Sequence, residues 1–211
     1  MQDQILQATI RAGRAPESVT LVAVSKTKPT GYIQALYDAG HRDFGENYFQ
    51  ELEAKASSLP GDIKWHFIGH LQSSKASKLA RVVTNLIVES LDSLKLAQKL
   101  NSAVEAANKP PMEIFIQIHT SVEETKSGIS HEEIPDFIKE LKTSCPLLLV
   151  KGVMTIGAPD DSAGSFERLK SSRKILGRHS LVLVQAETIY IIRIFFFPST
   201  LHLYMLCRGF Y

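Results

Sequence analysis

The chain has 211 residues, of which 44% are hydrophobic and 22% are charged, and its formal net charge is +2 at pH 7. This is the composition of an ordinary globular protein, for which a single domain is the default expectation. Lys and Glu are interspersed rather than grouped, so the chain lacks the basic surface that would point to nucleic acid as a partner.

The cysteines and the first residues bear on the compartment. Cys145 and Cys207 show neither a paired spacing nor a metal-ligand pattern, which fits a reducing compartment without a metal site. Residues 1–6 lack the basic and then apolar order of a secretory signal. We therefore expect a cytoplasmic protein, and the sequence leaves an upstream transit segment and a mitochondrial pool open.

The first predicted strand, residues 19–25, ends at Lys26 and is followed by a proline at position 29. A nearly continuous apolar run rich in β-branched residues is typical of a parallel strand that is covered on both faces. A lysine amine beside apolar walls loses affinity for its proton and becomes nucleophilic, as a Schiff-base lysine must be. Taken alone, the segment favours the simpler alternative, in which Lys26 extends its ammonium into solvent.

Short apolar runs then alternate with longer amphipathic runs along the chain. The further predicted strands are residues 42–44, 63–68, 84–89, 112–119 and 147–154. The predicted helices are residues 32–39, a helix through about residue 57, residues 73–80, a helix that Asp92 caps and that carries Leu96, Leu100 and Val104 on one side, residues 132–143, and residues 161–174. Six βα units are visible.

Strands that are each followed by one helix predict parallel pairing with right-handed crossovers. An open doubly wound sheet would carry a glycine-rich phosphate loop after its first strand, and residues 25–29 do not resemble one. We therefore predict an α/β protein with a TIM-type (β/α)8 barrel, in which the chemistry collects at the carboxyl ends of the strands.

Polar or reactive side chains follow these predicted strands repeatedly. Each has a purely structural alternative: Glu46 and Asn47 could cap the next helix, and His66 and His119 are individually more typical of satisfied buried histidines. None of these residues carries a function by itself. The predicted rim residues are Lys26, Glu46, Asn47, His66, Glu89, Ser90, His119, Thr120 and Thr155.

The ordered motifs are more specific together than apart. They are Val-Ala-Val-Ser-Lys-Thr-Lys-Pro (22–29), Phe-Gly-Glu-Asn-Tyr-Phe-Gln-Glu (44–51), Trp-His-Phe-Ile-Gly-His-Leu-Gln-Ser-Ser-Lys (65–75), Glu-Ser-Leu-Asp-Ser (89–93), Lys-Ser-Gly (126–128) and Gly-Val-Met-Thr-Ile-Gly (152–157). Over residues 8–174 the sequence closely resembles the pyridoxal 5′-phosphate homeostasis protein family, also called the YggS or PROSC family. The resemblance implies a fold similar to the N-terminal barrel domain of alanine racemase, with pyridoxal 5′-phosphate (PLP) held as an internal aldimine on Lys26.

The resemblance also implies provisional roles for other rim residues. Asn47 and the neighbouring Ile68, Gly69 and His70 would lie against the pyridine ring or its substituents, and Met154 would pack near the cofactor. An internal aldimine needs such apolar contact on the ring and hydrogen bonds that fix its orientation.

The resemblance implies a protein that binds and buffers or delivers PLP, with no catalytic residue. Its implied partners are PLP and, as recipients, PLP-dependent apo-enzymes whose identity stays open. The alternative is a PLP-dependent enzyme that acts on amino acids, like a racemase. Racemisation needs a second base on the opposite ring face, which in racemases comes from another domain, and we expect this chain to end before such a domain.

Residues 175–211 depart from the family pattern. The family would continue with a seventh strand carrying a Ser-Met-Gly-Met-Ser-like segment and an eighth carrying an Arg-x-Gly-Ser-like segment, and neither occurs here. We therefore divide the chain into an incomplete PLP-binding barrel domain, residues 1–174, and a divergent hydrophobic tail that replaces the last two βα units. Because loops after strands seven and eight usually hold the phosphate, weak PLP binding is expected.

Two segments of the tail, residues 181–184 and 189–197, favour strands. We expect them to pair with the open edges of the six-strand sheet as a hairpin-like, partly closed end. Two alternatives remain for the tail: a non-functional splice or gene-model product, or membrane association. Against a spanning helix, the apolar run is interrupted by Gln185, Glu187, Arg193 and Pro198.

Overall fold

A computed structural model of the chain describes residues 2–120, 128–157, 164, 165, 167–169, 171, 172, 180–185 and 190–194. Three expectations fall partly or wholly outside the described residues. These are the first two residues of the Lys-Ser-Gly motif at 126–128, part of the predicted helix 161–174, and most of the tail. Of the predicted helix, residues 164, 165, 167–169, 171 and 172 are helical.

The secondary structure follows the predicted alternation. The strands are β1 (Val19–Val24), β2 (Asp43–Glu46), β3 (Lys64–Phe67), β4 (Leu86–Leu91), β5 (Met112–Gln117), β6 (Leu148–Gly157), β7 (Ser180–Gln185) and β8 (Tyr190–Ile194). The helices are α1 (Gln2–Arg11), α2 (Thr30–Asp38), α3 (Phe49–Ser58), α4 (Ser73–Val82), α5 (Leu94–Ala106) and α6 (Ile134–Ser144).

The eight described strands form a closed barrel in chain order. Neighbouring strands from β1 to β7 are parallel, whereas β8 is antiparallel to both β7 and β1. The predicted α/β barrel with a hairpin-like end is therefore confirmed. The expectation of only partial closure is wrong, because β8 pairs with β1 from Val19 to Ala23 and leaves neither strand as an open edge.

The reversed direction of β8 changes which loops reach the carboxyl end of the barrel. Gln185, at the end of β7, pairs with Gly157 at the end of β6. Ile194, at the end of β8, pairs with Val19 at the start of β1. The eighth strand of a (β/α)8 barrel normally ends at the carboxyl face, but β8 ends at the amino face.

Side chains alternate between two apolar clusters, as the period of two in a strand requires. The inner cluster fills the barrel, and the outer cluster lies between the strands and the helices, where Phe44 and Trp65 meet residues such as Leu79 and Leu100. The inner cluster consists of Val22, Val24, Ile68, Ile87, Phe115 and Met154, with Ile156 packed against it.

Several predicted boundaries are corrected by the hydrogen bonds. β2 continues to Glu46 instead of stopping at Phe44, because the Glu46 carbonyl accepts a bond from the Ile68 amide at 2.9 Å. Glu46 and Asn47 do not cap α3, whose N-cap position is Tyr48. Ser93 rather than Asp92 caps α5, since its side chain accepts a bond from the amide of Leu96.

The described part of the tail does not support membrane association. Residues 180–185 and 190–194 of the tail are barrel strands. Within the part of the chain that the structure covers, no helix combines the length and apolar character needed to cross a bilayer. Glu187 and Pro198 lie outside the described residues.

Candidate functional site

Lys26 stands at the carboxyl end of β1. Val22 and Val24 belong to the inner cluster, and the Ser25 amide extends the β1 ladder by donating to the Gly45 carbonyl at 2.8 Å. Strand alternation therefore places Lys26 on the inward side, two residues beyond Val24. Its side chain is partly buried, and its ammonium has no hydrogen bond or ion pair with any residue that the structure describes.

Lys26 is the second residue of a tight turn. The Lys28 amide donates to the Ser25 carbonyl at 3.0 Å and closes that turn. Thr27, the third residue, has φ 62°, in the left-handed region that a β-branched residue rarely adopts. The Thr27 amide donates to the Glu51 carboxylate of α3 at 2.8 Å.

Lys55 on α3 joins this turn to Glu46, on the side of β2 that faces the helices. Its buried Nζ donates to the Ser25 carbonyl at 2.8 Å, to Glu46 Oε1 at 2.7 Å and to Glu51 Oε2 at 2.9 Å. The Ser25 hydroxyl also donates to Glu46 Oε1, at 2.6 Å. Glu46 therefore lies between β2 and α3 rather than at the rim, which corrects the sequence-based placement.

The surroundings shift the pKa values of the two carboxyl groups, Glu46 and Glu51, in opposite directions. Burial raises the pKa of Glu46, although hydrogen bonds from Lys55 and Ser25 oppose the rise. The hydrogen bond from Lys55 lowers the pKa of Glu51, and the bond from the Thr27 amide adds to that effect. Sequence reasoning missed Lys55 and Glu51, because their i,i+4 spacing is also that of an ordinary helix-surface ion pair.

Asn47 and Gly69 meet at the next two strand ends. A Cβ added to Gly69 would stand 2.8 Å from Asn47 Cα and closer still to the Asn47 carbonyl oxygen. The Ser90 hydroxyl donates to the Gly69 carbonyl at 2.6 Å and ties in the end of β4. Asn47 Oδ1 is buried without a hydrogen-bond partner among the described residues.

The other expected site residues lie at different depths. Ile68 and Met154 are both in the inner apolar cluster, and Met154 is fully buried. The His70 side chain is 62% exposed, with Nδ1 3.4 Å from Asp92 Oδ2. The strand ends thus bring Asn47 and Gly69 together and supply an apolar floor, while His70 stands at the outer edge.

Deeper in the barrel, His66 is fully buried between two carboxylates. Its Nδ1 lies 2.7 Å from Glu89 Oε1 and its Nε2 lies 3.1 Å from Asp43 Oδ1. Burial opposes protonation, but the hydrogen bonds and charges of Asp43 and Glu89 raise the pKa of His66. Burial also disfavours ionised Asp43, yet the bond from His66 keeps the pKa of Asp43 below its usual value. This is the satisfied buried histidine of the structural alternative.

Two rim residues, Thr120 just beyond the end of β5 and Thr155 on β6, are hydrogen-bonded to each other. The Thr120 and Thr155 hydroxyls are 2.6 Å apart, and Thr155 also donates to the Ile118 carbonyl at 3.0 Å. Both threonines are buried. They therefore brace this part of the rim.

Residues 6–182 match the family model described as "Alanine racemase, N-terminal domain". The human "Pyridoxal phosphate homeostasis protein" is 42% identical over 166 residues, which cover 75% of this chain and 60% of the human protein. The protein of the same name from Escherichia coli K12 is 40% identical over 164 residues, which cover 76% of this chain and 68% of the bacterial one. The chain belongs to the pyridoxal phosphate homeostasis protein family.

A solved structure agrees with this membership. PipY of Synechococcus elongatus, determined with PLP bound, has a TM-score of 0.64 and 28% sequence identity to this chain. The match covers 83% of this chain and 80% of PipY. The chain spans 60% of the length of the human member of the family and 68% of the E. coli member.

The contact between Gly69 and Asn47 predicts a specific cost for an added methyl group. We expect Gly69→Ala to lower the free energy of unfolding by about 1–3 kcal/mol, because the two loops must separate. Urea denaturation measures the change. Gly61→Ala is the control, since nothing lies within 4 Å of a Cβ added there. Equal losses in both variants would contradict the close packing of the two loops.

The buried histidine predicts a pH dependence. The folded-state pKa of His66 lies above its ordinary value of 6.5, so its stabilising contribution is fully present below that value and falls away as the pH rises through the folded-state pKa. The difference in unfolding free energy between the wild type and His66→Gln should therefore shrink as the pH rises above 6.5. Exposed His70→Gln serves as the control. A difference that is constant with pH would refute the assignment.

Proposed function

We propose that the chain binds PLP covalently through Lys26 and serves intracellular PLP homeostasis as a binding protein. The observation that carries this proposal is the Lys26 amine, which stands partly buried at the mouth of the barrel without a partner among the described residues. PLP supplies an aldehyde, which condenses with a primary amine to form a C=N bond and release water, and it supplies a phosphate group. The names of the human and E. coli relatives and the PLP-bound PipY structure support the choice of cofactor.

The residues around Lys26 fit such a ligand. Ile68 and Met154 offer apolar contact for a ring face, and the missing side chain of Gly69 keeps the loops compact beside it. Asn47 Oδ1 is a buried acceptor that a donor on the ring would satisfy. His70, the most exposed of the set, would reach only outward-facing substituents.

The phosphate is the weaker part of the fit. A barrel normally holds it on loops after strands seven and eight at the carboxyl face. Here β8 runs in the opposite direction and ends beside Val19 at the amino face. We therefore propose that the chain holds the ring more effectively than the phosphate, and that its PLP affinity is low.

Carriage is favoured over catalysis. The family members compared above carry the name of a homeostasis protein rather than that of an enzyme. We propose a cytoplasmic location and PLP-dependent apo-enzymes as recipients. Conversion of L-alanine to D-alanine by the purified chain, lost in Lys26→Met, would instead establish the racemase-like alternative.

The covalent site is tested by chemical trapping. After incubation with PLP and reduction with borohydride, peptide mapping should find the cofactor on Lys26 of the wild type and should find none at that position in Lys26→Met. The control is Lys28→Met, which removes an exposed lysine two residues away and should leave the label on Lys26. A dominant label on another lysine would overturn the proposal.

The reversed direction of β8 predicts that this chain gains little affinity from the phosphate of its ligand. PLP and pyridoxal, which lacks the phosphate, should bind this chain with dissociation constants within about threefold of each other, whereas the E. coli relative should prefer PLP by at least about tenfold. Each charge-assisted hydrogen bond to phosphate that is not formed forfeits about 1.5–3 kcal/mol. Titration calorimetry on both proteins measures the two ratios. The same strong preference for PLP in this chain would show that the phosphate is held.

A further inference from the structure

The turn that carries Lys26 contains a residue in an unfavourable backbone conformation. Thr27 has φ 62°, a left-handed conformation that is unfavourable for a β-branched residue. A strained conformation persists only where the surrounding structure holds it in place. The contacts that hold this turn therefore indicate which residues maintain the position of Lys26.

Those contacts are hydrogen bonds to the two peptide groups that flank Lys26. The peptide group before it presents the Ser25 carbonyl, which accepts a bond from Lys55 Nζ at 2.8 Å. The peptide group after it presents the Thr27 amide, which donates to Glu51 Oε2 at 2.8 Å. Lys55 Nζ also donates to Glu51 Oε2 at 2.9 Å, so the two side chains that bind the turn form one hydrogen-bonded unit on α3.

The unit is also bound to β2, on the side of the strand that faces α3. Lys55 Nζ lies 2.7 Å from Glu46 Oε1, and the side chains of Lys55 and Glu46 are 8% and 0% exposed. Ions that are buried and paired in this way hold a fixed geometry, because separating them would leave an uncompensated buried charge. On its Ser25 side the turn is therefore fastened to a buried ion pair, while Glu51, whose side chain is 31% exposed, holds its Thr27 side.

We infer that Lys55 and Glu51 are positioning residues, which hold the turn of Ser25 to Lys28 in its strained form and so aim Lys26 into the barrel. This inference rests on the proposed covalent role of Lys26. Both act through the backbone on either side of Lys26. Ion pairing alone would stabilise α3, but it would not require bonds to both flanking peptide groups.

The test measures the rate at which PLP becomes attached to Lys26 of the full chain, by borohydride trapping at timed intervals and mass spectrometry. Glu51→Ala removes the acceptor of the Thr27 amide and should slow attachment of PLP by about tenfold or more, as misplacement of a reacting group does. Glu51→Gln keeps an acceptor oxygen and should stay within about threefold of the wild type. Lys55→Met should slow attachment at least as much as Glu51→Ala.

A matched control and a rescue separate positioning from general stability. Lys78→Met removes another lysine that pairs with α3, at 2.7 Å from Glu53, and should leave the rate unchanged. Thr27→Gly removes the cost of the positive φ, since glycine adopts it freely. The double variant Glu51→Ala/Thr27→Gly should therefore recover most of the lost rate. Melting temperatures, measured in parallel, identify any variant that fails to fold.

The outcomes distinguish this inference from the proposed function. Absence of label on Lys26 in the wild type would reject the proposed function itself. A labelled wild type together with a Glu51→Ala variant that reacts at the same rate would reject the positioning role. A slow Glu51→Ala variant that Thr27→Gly does not rescue, or a Glu51→Gln variant that is equally slow, would assign the effect to charge or stability and would also reject it.

Discussion

The pairing of β1 with β8 is the constraint on which the candidate site depends. On its other side β1 is in register with β2 only at Ala23 and Val24, whereas with β8 it pairs from Val19 to Ala23. Without β8, most of β1 would be an open edge with unpaired backbone groups. The strand that ends at Lys26 is therefore held in place by a segment that shares none of the recognised family motifs.

At the end of β1, the apolar side chains and the buried charges lie on opposite faces of the strand. Inward-facing Val22 and Val24 lead to Lys26, while Ser25 turns outward to Glu46 and Lys55. The Lys26 amine can thus stand beside the inner apolar cluster although a buried ion pair lies on the other side of the same strand. This separation lets the charges support the backbone without neutralising Lys26 directly.

Much of this architecture could be predicted from the sequence, because short apolar runs and amphipathic runs alternate clearly up to β6. Lys26 stood out through its position after a buried strand and through the family motifs. The hairpin-like reversal at β8 was predicted, but the full closure of the barrel by β8 against β1 was not, since a strand-forming run carries no marker of how far it will pair with a distant strand. Asp92 and Ser93 are both good capping residues, and only the helix start decides between them. The orientation of Glu46 depended on where β2 ends, and a shift of one residue reverses the face of a side chain.

The closing of the barrel also has a consequence for how the chain folds. β1 lies near the start of the described chain and β8 near its end, so their contacts join residues that are very far apart in sequence. Contacts of this kind form late, because the entropy of closing a long loop must be lost first. During synthesis the edge of β1 would therefore remain exposed until β8 has been made. Pairing of β8, the last of the described strands, with β1 would then compete with pairing of that exposed edge with a neighbouring chain.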